Sequence, residues 1–109
     1  MTTSIEGMFA LVVRFTVKPD CEDEFDDLVA ATVTEIERCE TGTLVYISHR
    51  VEDSPRVRIF YELYRDRAAF DAHEQQPHIR QFLAQRERLL DSVQVDFVSP
   101  AATARALMP

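Results

Sequence analysis

Apolar side chains recur along this chain in two rhythms, and the switches between them mark out its elements. Met8 to Val17 (MFALVVRFTV) is short and rich in β-branched and aromatic residues, with Phe9, Leu11, Val13, Phe15 and Val17 on one parity. That pattern predicts a strand, ended by Pro19. From Phe25 the rhythm turns helical: Phe25, Leu28, Val29, Thr32, Val33 and Ile36 fall at i, i+3, i+4 and i+7 and make one stripe. Asp20 is placed to cap this helix, Glu22, Asp23 and Glu24 suit its positive end, and Gly42 is its expected stop.

Thr43 to Val51 (TLVYISHRV) and Arg56 to Tyr64 (RVRIFYELY) return to strand character, and the turn-forming Glu52-Asp53-Ser54-Pro55 between them makes a hairpin. Asp66 opens a short helix through Phe70 and His73. Pro77 interrupts it and starts a further helix, where Ile79, Phe82, Leu83, Leu89 and Leu90 share a stripe. After Ser92, Val93 to Val98 reads as a last strand, stopped by Pro100. The order is β-α-β-β-α-β with the second α split, the ferredoxin-like α+β arrangement of an antiparallel sheet with helices on one face. Residues 8–98 form the single domain, preceded by a flexible start at 1–7 and followed by a tail at 99–109.

The strands carry more apolar residues than one helix layer needs. Val45, Ile47 and Val51 oppose Leu44 and Tyr46; Val57, Ile59, Tyr61 and Leu63 oppose Phe60 and Tyr64. A sheet wet on one side alternates apolar with polar, and this one does not. The second face therefore calls for a partner, and a symmetric homodimer is the commonest solution.

Composition narrows the partners further. Nineteen acids against twelve bases give a net charge of −7, and the bases are interleaved with acids, so nucleic acid is not an expected partner. No apolar run approaches the ~20 residues that span a bilayer, and the first residues lack the flank of a secretory signal, which sets the cytoplasm as the expected location. Cys21 and Cys39, at the two ends of one helix, stand roughly 27 Å apart at 1.5 Å per residue and cannot pair with each other.

The residues able to do chemistry are few. There is no Trp, no Asn and one Lys, and no phosphate loop, nucleophile elbow or metal signature. The histidines are His49, His73 and His78. The five-residue spacing of His73 and His78 across Pro77 fits no metal motif, and packing or capping roles compete with chemistry there. Glu62 stands in a strongly apolar strand beside Phe60 and Tyr64. A carboxylate taken from water needs a partner or has its pKa raised. Either Arg14 or Arg58 pairs with it, or it acts as a general acid or base.

The string Tyr61-Glu62-Leu63-Tyr64-Arg65-Asp66, followed by Ala69-Phe70, His73, Pro77-His78 and Phe82, resembles the antibiotic biosynthesis monooxygenase domain family. Glu40-Thr41-Gly42-Thr43-Leu44-x-Tyr46 is similar to that family's entry to the second strand, and the likeness spans about residues 8 to 98. The resemblance implies a dimeric α+β barrel. It also implies a cofactor-free monooxygenase acting with O2 on a small quinol, phenol or enol, with no metal or flavin. On this reading Glu62, Tyr64, His73 and His78 are the catalytic candidates, and Tyr46, His49, Phe70, Phe82 and Arg14 contact the substrate.

Two other functions fit the same residues. The family includes an isomerase of phosphorylated autoinducer-2, similar down to the Leu107-Met108-Pro109 ending, for which Arg14, Arg50 and Arg58 are the candidate phosphate ligands. A non-catalytic dimeric binding or stress module is the third. The family's anthrone oxygenases and haem degraders lean on Asn and Trp; this chain has neither, and Tyr64 stands where Trp is common.

Overall fold

The computed structural model describes residues 5–104; the Leu107-Met108-Pro109 ending and the first four residues lie outside them. The elements run β1 (Phe9–Val17), α1 (Glu22–Cys39), β2 (Thr43–Val51), β3 (Ser54–Tyr64), α2 (Arg67–Gln75), α3 (Pro77–Arg86), a 3₁₀ turn (Glu87–Leu89) and β4 (Leu90–Val98). The sheet order is β2-β3-β1-β4, with every neighbouring pair antiparallel, which is the ferredoxin-like topology the periodicity predicts.

Register decides which residues meet. Tyr46, Glu62, Leu11 and Phe97 form one cross-strand row, and Ser48, Phe60, Val13 and Val95 the next; both face the helices. There Phe15, Phe25 and Phe60 are fully enclosed with Leu11, Val13, Val17, Val29 and Phe82. Burial of each large apolar side chain contributes about 1.5–3 kcal/mol relative to exposure. The aromatic rings interlock edge to face, as between Phe15 and Phe60 at 4.7 Å.

The opposite face carries His49, Ile59, Arg14 and Gln94 in one row and Ile47, Tyr61, Val12 and Asp96 in another. Among the described residues no helix or strand covers these rows, although at one end of the same face Ala10 and Leu63 are buried with Met8, and Ile5 packs against them. Val12, Val45, Ile59 and Tyr61 are half-buried and Ile47 is 46% exposed. The helix layer also stops short of β4, leaving Phe97 63% exposed although it lies on the helix side.

Several boundaries differ from the expectation, each for a local reason. Asp20 does not cap α1; it takes a positive φ of 65°, and Cys21 occupies the cap position. Strand β3 begins two residues early because the turn is tighter, with Asp53 at φ 63°. Strand β4 begins at Leu90, since the 3₁₀ turn ends α3 sooner than the apolar stripe suggests. Asp66 caps α2 as expected, accepting a hydrogen bond from the Ala69 backbone at 2.8 Å, and Pro77 starts α3. Gly42 lies three residues past the end of α1, and a Cβ there would stand 2.6 Å from the Ala69 Cβ. Its hydrogen is what lets the start of β2 touch α2.

Candidate active site

Between the sheet and α2 and α3 lies a cavity of about 230 Å³. Its apolar walls include Leu11 and Val13 from β1, Phe70 from α2 and Phe82 from α3, and Val95 and Phe97 of β4 stand at its side. Polar groups enter from four elements: Tyr46 from β2 and Glu62 from the adjacent β3, His73 and Glu74 from α2, and Arg86 from the end of α3.

Glu62 is 7% exposed. Neither expected arginine meets it. Arg58 makes a two-pronged contact with Asp26, at 2.9 and 3.0 Å, and Arg14 projects from the other face of the sheet. Instead the Tyr64 hydroxyl donates to Glu62 Oε1 at 2.6 Å. Burial pushes the Glu62 carboxyl above its ordinary range, although the Tyr64 hydroxyl and the nearby His73 pull the other way. The Tyr64 phenol is raised far above its usual range, by burial first and then by Glu62, so it remains a donor. Burial, reinforced by Glu62, likewise raises Tyr46 well above normal.

A second polar cluster backs the cavity. Glu40, just past the end of α1, has a side chain 4% exposed. Its Oε1 meets His73 Nδ1 at 2.6 Å and the Thr43 hydroxyl at 2.6 Å; its Oε2 meets His78 Nε2 at 2.5 Å. Burial is the largest single influence on Glu40 and favours its neutral form. The hydrogen bonds from His73, Thr43 and His78 together outweigh it and hold the carboxyl below its ordinary value. Against an ionised Glu40, Nδ1 of His73 is the donor, so Nε2 is the nitrogen left for the cavity that His73 lines. The His73 ring packs 5.0 Å from Tyr64 and 5.7 Å from Tyr46.

Thus Glu62, His73, Tyr46, Phe70 and Phe82 converge on one cavity. Tyr64 acts behind Glu62, and His78 acts behind Glu40, facing a separate hollow between α1 and α3. Arg14 and His49 are not brought to the cavity: strand parity puts both on the uncovered face, where His49 Nδ1 contacts the Ile59 carbonyl at 2.9 Å. Two residues of the site escaped the sequence reading. Glu40 carried a signal, since it opens the string leading to Gly42 and Tyr46, but nothing in that string says which side chains it meets. Arg86 carried none. Among the described residues, no group of three or more His, Cys, Asp or Glu side chains is arranged to hold a metal ion.

This fold, with an acid and a histidine facing a cavity between sheet and helices, agrees with the family indicated by the sequence. The chain belongs to the antibiotic biosynthesis monooxygenase family, whose pattern matches residues 8–85. It is 32% identical over 98 residues to Rv0793 of Mycobacterium tuberculosis, provisionally named a monooxygenase, a match covering 89% of this chain and 95% of that one. The solved structure of Rv0793 superposes with a TM-score of 0.82 over 90% of this chain and 99% of that chain. PA3566 of Pseudomonas aeruginosa, 25% identical, superposes with a TM-score of 0.81 over 91% and 99%. The uncharacterised Synechocystis protein sll1783 is 36% identical over 74 residues, 68% of this chain; the match spans half the length of that relative. Among the described residues, no helix is long and apolar enough to cross a membrane.

Proposed function

We propose that the chain is a cofactor-independent monooxygenase of a small quinol, phenol or enol. The observation that carries this reading is a buried carboxylic acid with a raised pKa, facing an open apolar cavity beside an oriented histidine. A base works best when its pKa lies near the working pH, and burial moves Glu62 in that direction. Tyr64 holds Oε1, and Oε2 has no hydrogen-bond partner among the described residues. His73, fixed by Glu40, supplies a second proton-transfer group at Nε2.

The chemistry balances with O2 as the only co-reactant. Glu62 removes a proton from the acidic C–H or O–H of the substrate. The resulting anion passes one electron to O2, and the two radicals join as a carbon-bound peroxide. The peroxide takes the first proton back from Glu62 as its terminal O–H; Glu62 then removes the second proton from that carbon and the O–O bond breaks. One oxygen stays as a carbonyl and the other leaves as hydroxide, protonated to water through His73. The cavity walls exclude bulk water around the anion, which strengthens each electrostatic contact there.

Cavity size supports a compact substrate. About 230 Å³ falls below the ~300–1,000 Å³ of drug-sized pockets, so one or two rings suit it better than a polycycle. The isomerase alternative places a phosphate on Arg14, Arg50 or Arg58, and none of these three reaches the cavity: Arg50 and Arg58 bind Asp26, and Arg14 faces away; Arg86, which does line it, serves either reading. An open cavity likewise favours turnover over a purely structural module.

In this reading a second copy covers the sheet face bearing Val12, Ile47, Ile59 and Tyr61, and the protein works as a homodimer. Oxygen consumption with menadiol, without added metal or flavin, tests the activity. It should disappear in Glu62→Gln and His73→Ala; uptake that survives both variants overturns the assignment. Sedimentation at micromolar concentration tests the assembly, and a stable, folded monomer overturns the dimer.

A further inference from the structure

Arg86 is exceptional among the arginines of the described residues. Arg38, Arg50, Arg56, Arg58, Arg67 and Arg88 each meet a carboxylate. Arg14 and Arg65 are exposed to water, and exposed Arg80 meets the Gln75 side chain. Arg86 is half-buried and lines the cavity, yet it makes no hydrogen bond or ion pair among the described residues. Its guanidinium is held by two rings, 5.4 Å from the Phe15 centroid and 5.8 Å from that of Phe82. Stacking of this kind fixes the plane of the group while leaving its N–H donors unspent.

A guanidinium drawn partly out of water, with no acceptor, is unfavourable unless something supplies one. Burial already lowers the pKa of Arg86, and the surrounding Tyr46, Glu62 and Glu74 oppose that only in part. Glu62 does not fill the role: its partner is the Tyr64 hydroxyl, and it makes no hydrogen bond or ion pair with Arg86 among the described residues. Glu74 is exposed and makes no ion pair with Arg86. No nitrogen of Arg86 is both buried and unpartnered, so its donors are open to water, and a ligand group entering the cavity can take that water's place.

We propose that Arg86 is the anion-binding group of the cavity, and that the natural ligand is a small, largely apolar molecule carrying one negatively charged group. Leu11, Val13, Phe70 and Phe82 receive its apolar body. Its charged group, a carboxylate or the oxygen of a phenolate or enolate, meets Arg86. The proposal shares its cavity with the oxygenase reading but not its chemistry, so it is tested by binding alone.

The probes are 1-naphthoate and its neutral isostere 1-naphthalenemethanol, titrated by calorimetry into the full-length protein. Charge-assisted hydrogen bonds of about 1.5–3 kcal/mol correspond to roughly 10- to 150-fold in affinity. The wild type should prefer the naphthoate by at least about tenfold. Arg86→Met, which keeps an apolar stem, should erase the preference while leaving the alcohol unchanged. Arg86→Lys should retain part of it, and Arg14→Gln all of it. Equal affinity of the two probes for the wild type, a preference that survives Arg86→Met, or failure of both probes to bind would each overturn the proposal. The wild-type ratio alone decides the matter should a variant not fold. Preference for the anion without oxygen uptake on any quinol would defeat the oxygenase reading and leave this one standing; uptake without such preference would do the reverse.

Discussion

Two glutamates of this molecule turn their carboxyls away from water, Glu62 the more deeply enclosed, and their surroundings push them in opposite directions. Glu40 receives three hydrogen bonds, from Thr43 and two histidines, and is held below its ordinary pKa. Glu62 receives one, from Tyr64, and burial raises it. Desolvation is the largest influence on both. Burial alone therefore does not tell a structural carboxylate from a reactive one; the number of donors around it does. One region spends its polar atoms locking α1 to α2 and α3, and the other leaves a carboxyl oxygen and an imidazole nitrogen for a guest.

The largest expected effect separates the two at once. Glu62→Gln should lower turnover by about 10²- to 10⁴-fold while the fold survives. Its stability should also respond to pH in the unusual sense. Because Glu62 is raised in the folded state, it contributes stability below its unfolded pKa that is lost as pH rises through the folded value. Chemical denaturation should therefore show Glu62→Gln gaining stability relative to wild type between acid and neutral pH. A variant that loses ground over that interval would show that the carboxylate is stabilising where it lies.

Glu40→Gln should cost less activity and more stability. Loss of the ionised acceptor frees the His73 ring, and turnover should fall by roughly tenfold to a hundredfold, with about 1.5–3 kcal/mol lost from unfolding at neutral pH. The sign of the pH effect reverses here. A lowered carboxylate contributes stability above its unfolded pKa, near 4.5, that disappears as pH falls through the folded value. The deficit of Glu40→Gln should thus be full at neutral pH and shrink on acidification; a constant deficit would mean that Glu40 is not ionised.

Tyr64→Phe comes next. The Tyr64 hydroxyl is one of the influences that lower Glu62, so removing it should move the rising limb of the rate–pH curve to higher pH. The loss at neutral pH should be around tenfold and recover in alkaline buffer. A profile that drops without shifting would make Tyr64 a packing residue only. Smallest of all in turnover, Arg14→Gln and His49→Ala should stay within about twofold of wild type, because both lie across the sheet from the cavity. A larger fall in turnover would mean that face communicates with the cavity.

The fold was largely legible from periodicity because each stripe had one place to go. The run from Phe25 to Ile36, the β-branched strands and Pro77 set the element order almost unaided. The site was legible where chemistry contradicts surroundings: Glu62 in an apolar strand is conspicuous in one dimension. Arg14 and His49 were misplaced because residue type draws attention before strand parity does, and only the register shows that both share a row with Ile59. Glu40 was not recognised as a site residue, for the opposite reason. A glutamate following a solvated helix looks like surface until the fold carries α2 and α3 over it.

Gly42 has a consequence that reaches past its own turn. With a Cβ placed only 2.6 Å from Ala69, any side chain at 42 must lift the first turns of α2 by about 1 Å to regain ordinary contact. The same helix carries Phe70 and His73, so the missing methyl sets how far the imidazole stands from the sheet. The distance between the Glu62 carboxyl and the His73 ring is thus gauged by the smallest residue type in the chain, at a position that touches neither of them.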